Sequence, residues 1–147
     1  LVSVNKGTPL RPLAKAASGG ELARIGLALQ SAVGQCARIP TLIFDEVDTG
    51  IGGGTAETVG RLLRHLGTRH QVLAVTHLPQ VAAYGAQHWR VSKYSDKGQT
   101  FSRIDVLDAH TRTDEIARML GGETITDTTR RHADERLAVS LPESKQS

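Results

Sequence analysis

Two apolar runs without alternation stand out in the first half of the chain, Thr41-Leu42-Ile43-Phe44 and Gln71-Val72-Leu73-Ala74-Val75-Thr76. Short unbroken runs of this kind predict strands buried on both faces, as in a parallel sheet covered by helices. Around them, apolar positions recur at helical spacing. Leu22, Ile25, Leu29, Ala32 and Val33 predict one amphipathic helix. Ala56, Val59, Leu62, Leu63 and Leu66 predict a second, stopped by Gly67. Pro40 separates the first helix from its strand, and the glycine-dense stretch 48–54 predicts a loop. Residues 1–5 alternate as a short strand would before Gly7-Thr8-Pro9 breaks the pattern, and Pro12 with the small residues 14–17 reads as a loop.

Beyond the second run the pattern changes. Pro79 suits the first turn of a short helix reaching Tyr84. Residues 89–93 and 100–106 predict a strand pair turning at Ser95-Asp96-Lys97-Gly98. A helix is expected over 113–120, stopped by Gly121-Gly122, then a polar helix over 126–139 and a solvated, disordered tail over 140–147. The order is an α/β layer with right-handed crossovers and a mostly parallel sheet. Residues 1–139 are expected to form one domain, an incomplete one.

Composition narrows the class. The 147 residues suffice for a domain burying roughly 70% of its unfolded surface. No apolar run nears the ~18 residues of a membrane helix and no secretory signal opens the chain, so no membrane partner is expected. Leu1 in place of Met points to a start inside a longer polypeptide. Net charge is +3 with signs mixed along the chain, and aromatics are 3%, which argues against a dedicated nucleic-acid reader or base-stacking platform. The lone Cys36 excludes an internal disulfide and a cysteine zinc cluster and favours a reducing compartment. Six histidines without His-Glu-x-x-His spacing argue against a metal site built from them.

Chemistry gathers at the carboxyl ends of the two runs, where ligands of parallel sheets collect. Asp45 and Glu46 close the first, and Asp48 follows, giving three carboxylates within four positions. That density is costly unless a cation such as magnesium compensates it, though hydrated side chains at an ordinary strand exit are the plain alternative. His77 emerges from the second run and shares that edge if the two strands lie close. Ser18-Gly19-Gly20-Glu21 opens the first helix. Ser at N-cap with Glu three residues on is a capping box. The same geometry lets a phosphate approach free N–H groups at the positive end of the helix. A phosphate-cradling Gly-x-x-x-x-Gly-Lys-Ser/Thr occurs nowhere in the chain.

In this order the motifs resemble the C-terminal half of an ABC-type ATPase head. Ser18-Gly19-Gly20-Glu21 is similar to the signature motif, Leu42-Ile43-Phe44-Asp45-Glu46 to the Walker B strand, Asp48 to the D-loop and His77 to the switch histidine. Residues 9–15, 44–53 and 75–82 resemble the RecN family of SMC-related bacterial double-strand-break repair proteins. Ala17 before the signature and Glu21 within it follow SMC-like rather than transporter usage, and the resemblance covers roughly residues 5–122.

The resemblance implies the signature and Walker B lobe of a P-loop ATPase head, with Walker A, Q-loop and a coiled coil lying in an N-terminal half. ATP would be held between two heads of a homodimer. Asp45 would hold Mg2+, Glu46 would polarise the attacking water, and His77 would contact the γ-phosphate. Ser18, Gly19 and Gly20 would meet the ATP of the opposite head, with Glu21 supporting that loop and Asp48 coupling the two sites. DNA contact through the parent protein, a cytoplasmic, nucleoid-associated location and inactivity of this piece alone are further expectations. Another SMC-like ATPase, an ABC transporter domain and a non-catalytic interaction module are the alternatives.

Overall fold

The computed structural model describes residues 9, 12, 18–33, 39–122 and 124–140, which divide into two compact units between Thr76 and His77. The strand expected over 1–5, the loop over 14–17 and residues 141–147 of the tail expected over 140–147 lie outside the described residues, while Ser140 is not disordered but ends a helix and is buried.

The first unit is built on a strand–helix–strand element. Helix α1 (Gly19–Val33) precedes strand β1 (Thr41–Phe44), helix α2 (Gly53–Leu66) and strand β2 (Gln71–Ala74). The strands pair in parallel with Thr41 opposite Gln71 and Phe44 opposite Ala74, and the Val75 N–H extends the ladder to the Phe44 carbonyl at 2.9 Å. Both strands therefore stop at one edge. Helix α2 packs on α1 and on β2, and its buried face is the predicted Ala56, Val59, Leu63 and Leu66. Its first turn takes in Gly53 and Gly54, so the loop is shorter than the glycine content implies. Gly67 caps the helix in right-handed conformation, φ −61°, because its N–H still reaches the Leu63 carbonyl.

Two expectations need correction here. β1 buries Leu42 and Phe44, but Ile43 on its other face is 71% exposed, and β2 is largely exposed. One helical layer covers one face of the pair, and no described element covers the other. The apolar stripe of α1 is also rotated. Leu27 is 1% exposed, whereas Leu22 is exposed and Leu29 is 59% exposed.

The second unit comprises helix α3 (Pro79–Ala82), strands β3 (Trp89–Asp96) and β4 (Gln99–Val106), and helices α4 (Ala109–Gly121) and α5 (Asp127–Ser140). Its core is small: Ala82 and Ala83 pack with Ile116, Ala117 and Ala133, flanked by Met119, Leu120 and Leu137. β3 and β4 form an antiparallel hairpin across Lys97-Gly98, both at positive φ (47° and 79°), as a two-residue primed turn demands. More strand residues lie in this hairpin than in the parallel pair, so the mostly parallel sheet holds only for β1 and β2. α4 starts four residues before its predicted start. The Asp108 carboxylate caps it by accepting from the Thr111 N–H at 2.8 Å, a signal present in the sequence as Asp-x-x-Thr. Buried Glu115 is neutralised by a bidentate pair with Arg118, 2.6 and 3.0 Å.

Leu27→Ala is expected to destabilise the first unit by about 3 kcal/mol, the usual cost of a leucine-sized cavity. Leu29→Ala should change stability by less than about 0.5 kcal/mol. Urea unfolding of the two variants checks this, and equal losses would contradict the rotated stripe.

Candidate functional site

The sequence-predicted site residues Ser18, Gly19, Gly20, Glu21, Asp45, Glu46 and Asp48 all belong to the first unit. Five of them build one junction between the start of α1 and the loop that follows β1. The capping box forms. Glu21 Oε2 accepts from the Ser18 N–H at 2.7 Å and from the Ser18 hydroxyl at 3.1 Å, while the Glu21 N–H reaches the Ser18 hydroxyl oxygen at 3.4 Å. These bonds, first the backbone one and then the hydroxyl, with a smaller contribution from Arg24, hold the Glu21 carboxyl below its ordinary range.

Gly19 and Gly20 give the junction its closeness. A Cβ on Gly20 would stand 3.0 Å from the carbonyl oxygens of both Glu46 and Thr49 and 3.1 Å from the Thr49 Cβ. A Cβ on Gly19 would stand 2.6 Å from Glu46 Oε2. The Glu46 carboxylate thus lies over the helix start, at the end of the helix that favours anions. Arg24, one turn into α1, donates from Nη1 to the carbonyls of Val47 (3.3 Å) and Thr49 (2.8 Å). It ties helix to loop from the other side. Sequence reading missed Arg24; its place one turn after Glu21 was the available signal.

The three carboxylates are separated by burial, so their density needs no cation to be tolerated. Asp48 is 2% exposed and accepts a hydrogen bond from the Thr76 hydroxyl beyond the end of β2. Asp45 and Glu46 face solvent, with Asp45 Oδ1 accepting from the Glu46 N–H at 2.9 Å. Glu46 takes φ +57°, a left-handed conformation costing about 1–2 kcal/mol in a residue with a Cβ. The Thr49 N–H bonds back to its carbonyl at 3.0 Å and closes the turn. His77 is exposed and opens the second unit, immediately after Thr76 in the chain.

Among the described residues, no three His, Cys, Asp or Glu side chains come together as a metal cage. The donor set still suits magnesium, which binds through one or two carboxylates plus substrate phosphates and keeps several waters. Asp45, exposed at the strand exit, is such a carboxylate. No helix among the described residues is long and apolar enough to cross a membrane.

The fold is similar to that of a solved SMC ATPase structure. It matches, at TM-score 0.53 and 18% identity over 80% of this chain and 70% of the other, a structure from work on ATP-driven dimerisation and DNA-stimulated activation of SMC ATPases. The aligned residues are similar to those of RecN proteins. The chain is 57% identical over 126 residues to the DNA repair protein RecN of Xylella fastidiosa. Identity is 53% to RecN of Vibrio cholerae and 42% to RecN of Bacillus subtilis, each over 137 residues. These alignments cover 86%, 93% and 93% of this chain but 23%, 25% and 24% of the relatives, so the chain spans about a quarter of their length. No protein-family model matches it.

Gly20→Ala is expected to cost about 1–3 kcal/mol, because rigid backbone must move to admit the methyl group. Gly19→Ala meets only the flexible end of Glu46 and should cost much less; urea unfolding ranks the two. The capping contribution of Glu21, whose folded pKa is depressed, is present above the ordinary glutamate range and lost as pH falls through the depressed value. Glu21→Gln should therefore flatten the acid limb of the helical circular-dichroism signal, and an unchanged limb would contradict the cap.

Proposed function

We propose that this chain is the signature and Walker B lobe of a RecN-like ATPase, working in DNA double-strand-break repair and recombination when joined to an N-terminal half that brings the phosphate cradle. The observation that carries this reading is the junction of Gly19 and Gly20 with Glu46. A glycine-fronted helix start and an acidic strand exit are locked together at one surface, within a fold shared with an SMC ATPase. RecN relatives extend the match along nearly all of the chain.

In this reading Glu46 accepts a proton from, and orients, the water that attacks the γ-phosphate, and Asp45 holds magnesium. Magnesium held there would supply neutralisation of phosphate charge. Ser18, Gly19 and Gly20 offer backbone N–H groups to the γ-phosphate of ATP on the opposite head of a homodimer, Glu21 supports their loop, and Asp48 couples the two sites. Two assignments gain physical content from the geometry. Asp48, buried against Thr76, would couple the sites through the loop backbone rather than by touching nucleotide. His77, next in the chain after Thr76, would bind the γ-phosphate from its own head. Partners are the N-terminal half, the second head and, through the whole protein, DNA; residues 1–139 act as one lobe of the head, and the location is cytoplasmic and nucleoid-associated.

The exposed apolar surfaces favour an incomplete head over a self-sufficient interaction module. Ile43, Leu73 and Val75 stand bare on the parallel pair. Trp89 and Val91 with their partners Val106 and Ile104 line one exposed face of the hairpin. Surfaces of this kind mark an interface.

The chain alone is expected to turn over ATP negligibly, and mixing with the N-terminal half of a RecN should restore hydrolysis in a phosphate-release assay. Glu46→Gln should reduce that restored rate at least about a hundredfold, as loss of a water-activating group does, while ATP-dependent dimers persist in size-exclusion chromatography. An unchanged rate would overturn the role of Glu46, and dimerisation indifferent to ATP and magnesium would favour the binding module.

A further inference from the structure

Helix α3 is a single turn of four residues, too short to hold itself in water, yet it is the element to which His77 is attached. The linkage is stiff. Pro79 forces the residue before it out of helical conformation, and Leu78 is extended at φ −97°, ψ 123°. The Leu78 carbonyl then accepts from the N–H groups of Val81 and Ala82, both at 3.0 Å, and the Ala83 N–H bonds to the Pro79 carbonyl at 3.0 Å. Whatever fixes α3 therefore fixes the backbone next to His77. The boundary between the compact units, which groups His77 with α3 rather than with β2, agrees with this.

Two things fix α3. Val81, Ala82, Ala83 and Tyr84 are buried. In addition, Arg112 on α4 turns one guanidinium nitrogen, Nη2, onto carbonyls at the end of α3: Gly85 at 2.6 Å, Ala83 at 2.8 Å and Ala82 at 3.5 Å. Ser140 on α5 adds a hydroxyl bond to the Ala83 carbonyl at 2.8 Å. A cation at a helix C-terminus satisfies orphan acceptors and the helix dipole together.

We propose that Arg112 is a positioning residue for His77, acting through the C-terminal end of α3, and that the α4–α5 pair thereby sets the geometry of γ-phosphate contact. The proposal rests on the role of His77 given above. Arg112 touches no nucleotide; its part is to hold a short helix whose other end carries the imidazole.

The test uses the intact Xylella fastidiosa RecN with this chain in place of its matching segment, assayed for ATP hydrolysis. Arg112→Ala is expected to lower kcat roughly tenfold to a hundredfold, the range for misplacing a group by about 1 Å, with KM for ATP little changed. Arg112→Lys should recover part of the loss, because it keeps the charge but not the fork. Combined with His77→Ala, Arg112→Ala should cost little more, since two residues acting as one unit are not additive. A full Arg112→Ala loss on top of His77→Ala would make Arg112 merely structural and overturn the proposal, as would an unchanged kcat in Arg112→Ala. Should Arg112→Ala not fold, Ser140→Ala, which removes one bond to the same carbonyl, is put through the same cycle. If His77→Ala itself leaves the rate unchanged, the underlying role of His77 fails instead.

Discussion

Helix α1 reaches the loop after β1 only because position 20 has no side chain. Two carbonyl oxygens, of Glu46 and Thr49, stand 3.0 Å from where a methyl group would be, tighter than ordinary contact. Backbone against backbone at this range leaves the carboxylate of Glu46 over the helix start and lets Arg24 span to the carbonyls of Val47 and Thr49. Ser18 and Glu21 secure the first turn from within, so the helix start is held whether or not a ligand meets it. Capping and the proposed phosphate contact are thus compatible uses of one arrangement rather than rival explanations.

The same loop sorts three carboxylates by burial. Asp48 turns inward to the Thr76 hydroxyl and joins the segments that leave β1 and β2, while Asp45 and Glu46 stay in water. A buried carboxylate must keep its partner, because losing the hydrogen bond exposes the full cost of desolvation. Movement of this loop is therefore felt at Thr76, the residue before His77. The left-handed conformation of Glu46 adds strain at the position assigned to water activation, a common place for strain to be stored.

In the second unit a small alanine-rich core leaves polar bonds to do much of the positioning. Ala82, Ala83, Ala117 and Ala133 bring backbones close but bury little area each, so Arg112 and Ser140 reinforce α3 directly at its carbonyls. The bidentate Glu115–Arg118 pair serves α4 in the same way.

Local chemistry determined much of this protein from sequence alone. Apolar runs marked β1 and β2, the helical spacing of Ala56, Val59, Leu62, Leu63 and Leu66 marked α2, Ser95-Asp96-Lys97-Gly98 marked the hairpin turn, and Ser18-x-x-Glu21 marked the cap, because each depends on residues a few positions apart. The start of α4 is equally local, at Asp108 and Thr111, four residues before the position that the apolar pattern predicts. What only tertiary structure decided depended on partners far along the chain. Leu27 rather than Leu29 is buried; Ile43 is bare because no described layer covers its face; Asp48 is buried and bonded to Thr76, 28 residues on. Periodicity gives a helix its apolar side to within a turn or so, and a strand its alternation, but which side is covered is set by whichever element arrives. The roles of Arg24 and Arg112 belong to that second kind, since their acceptors are backbone carbonyls, which every residue carries and no sequence motif announces.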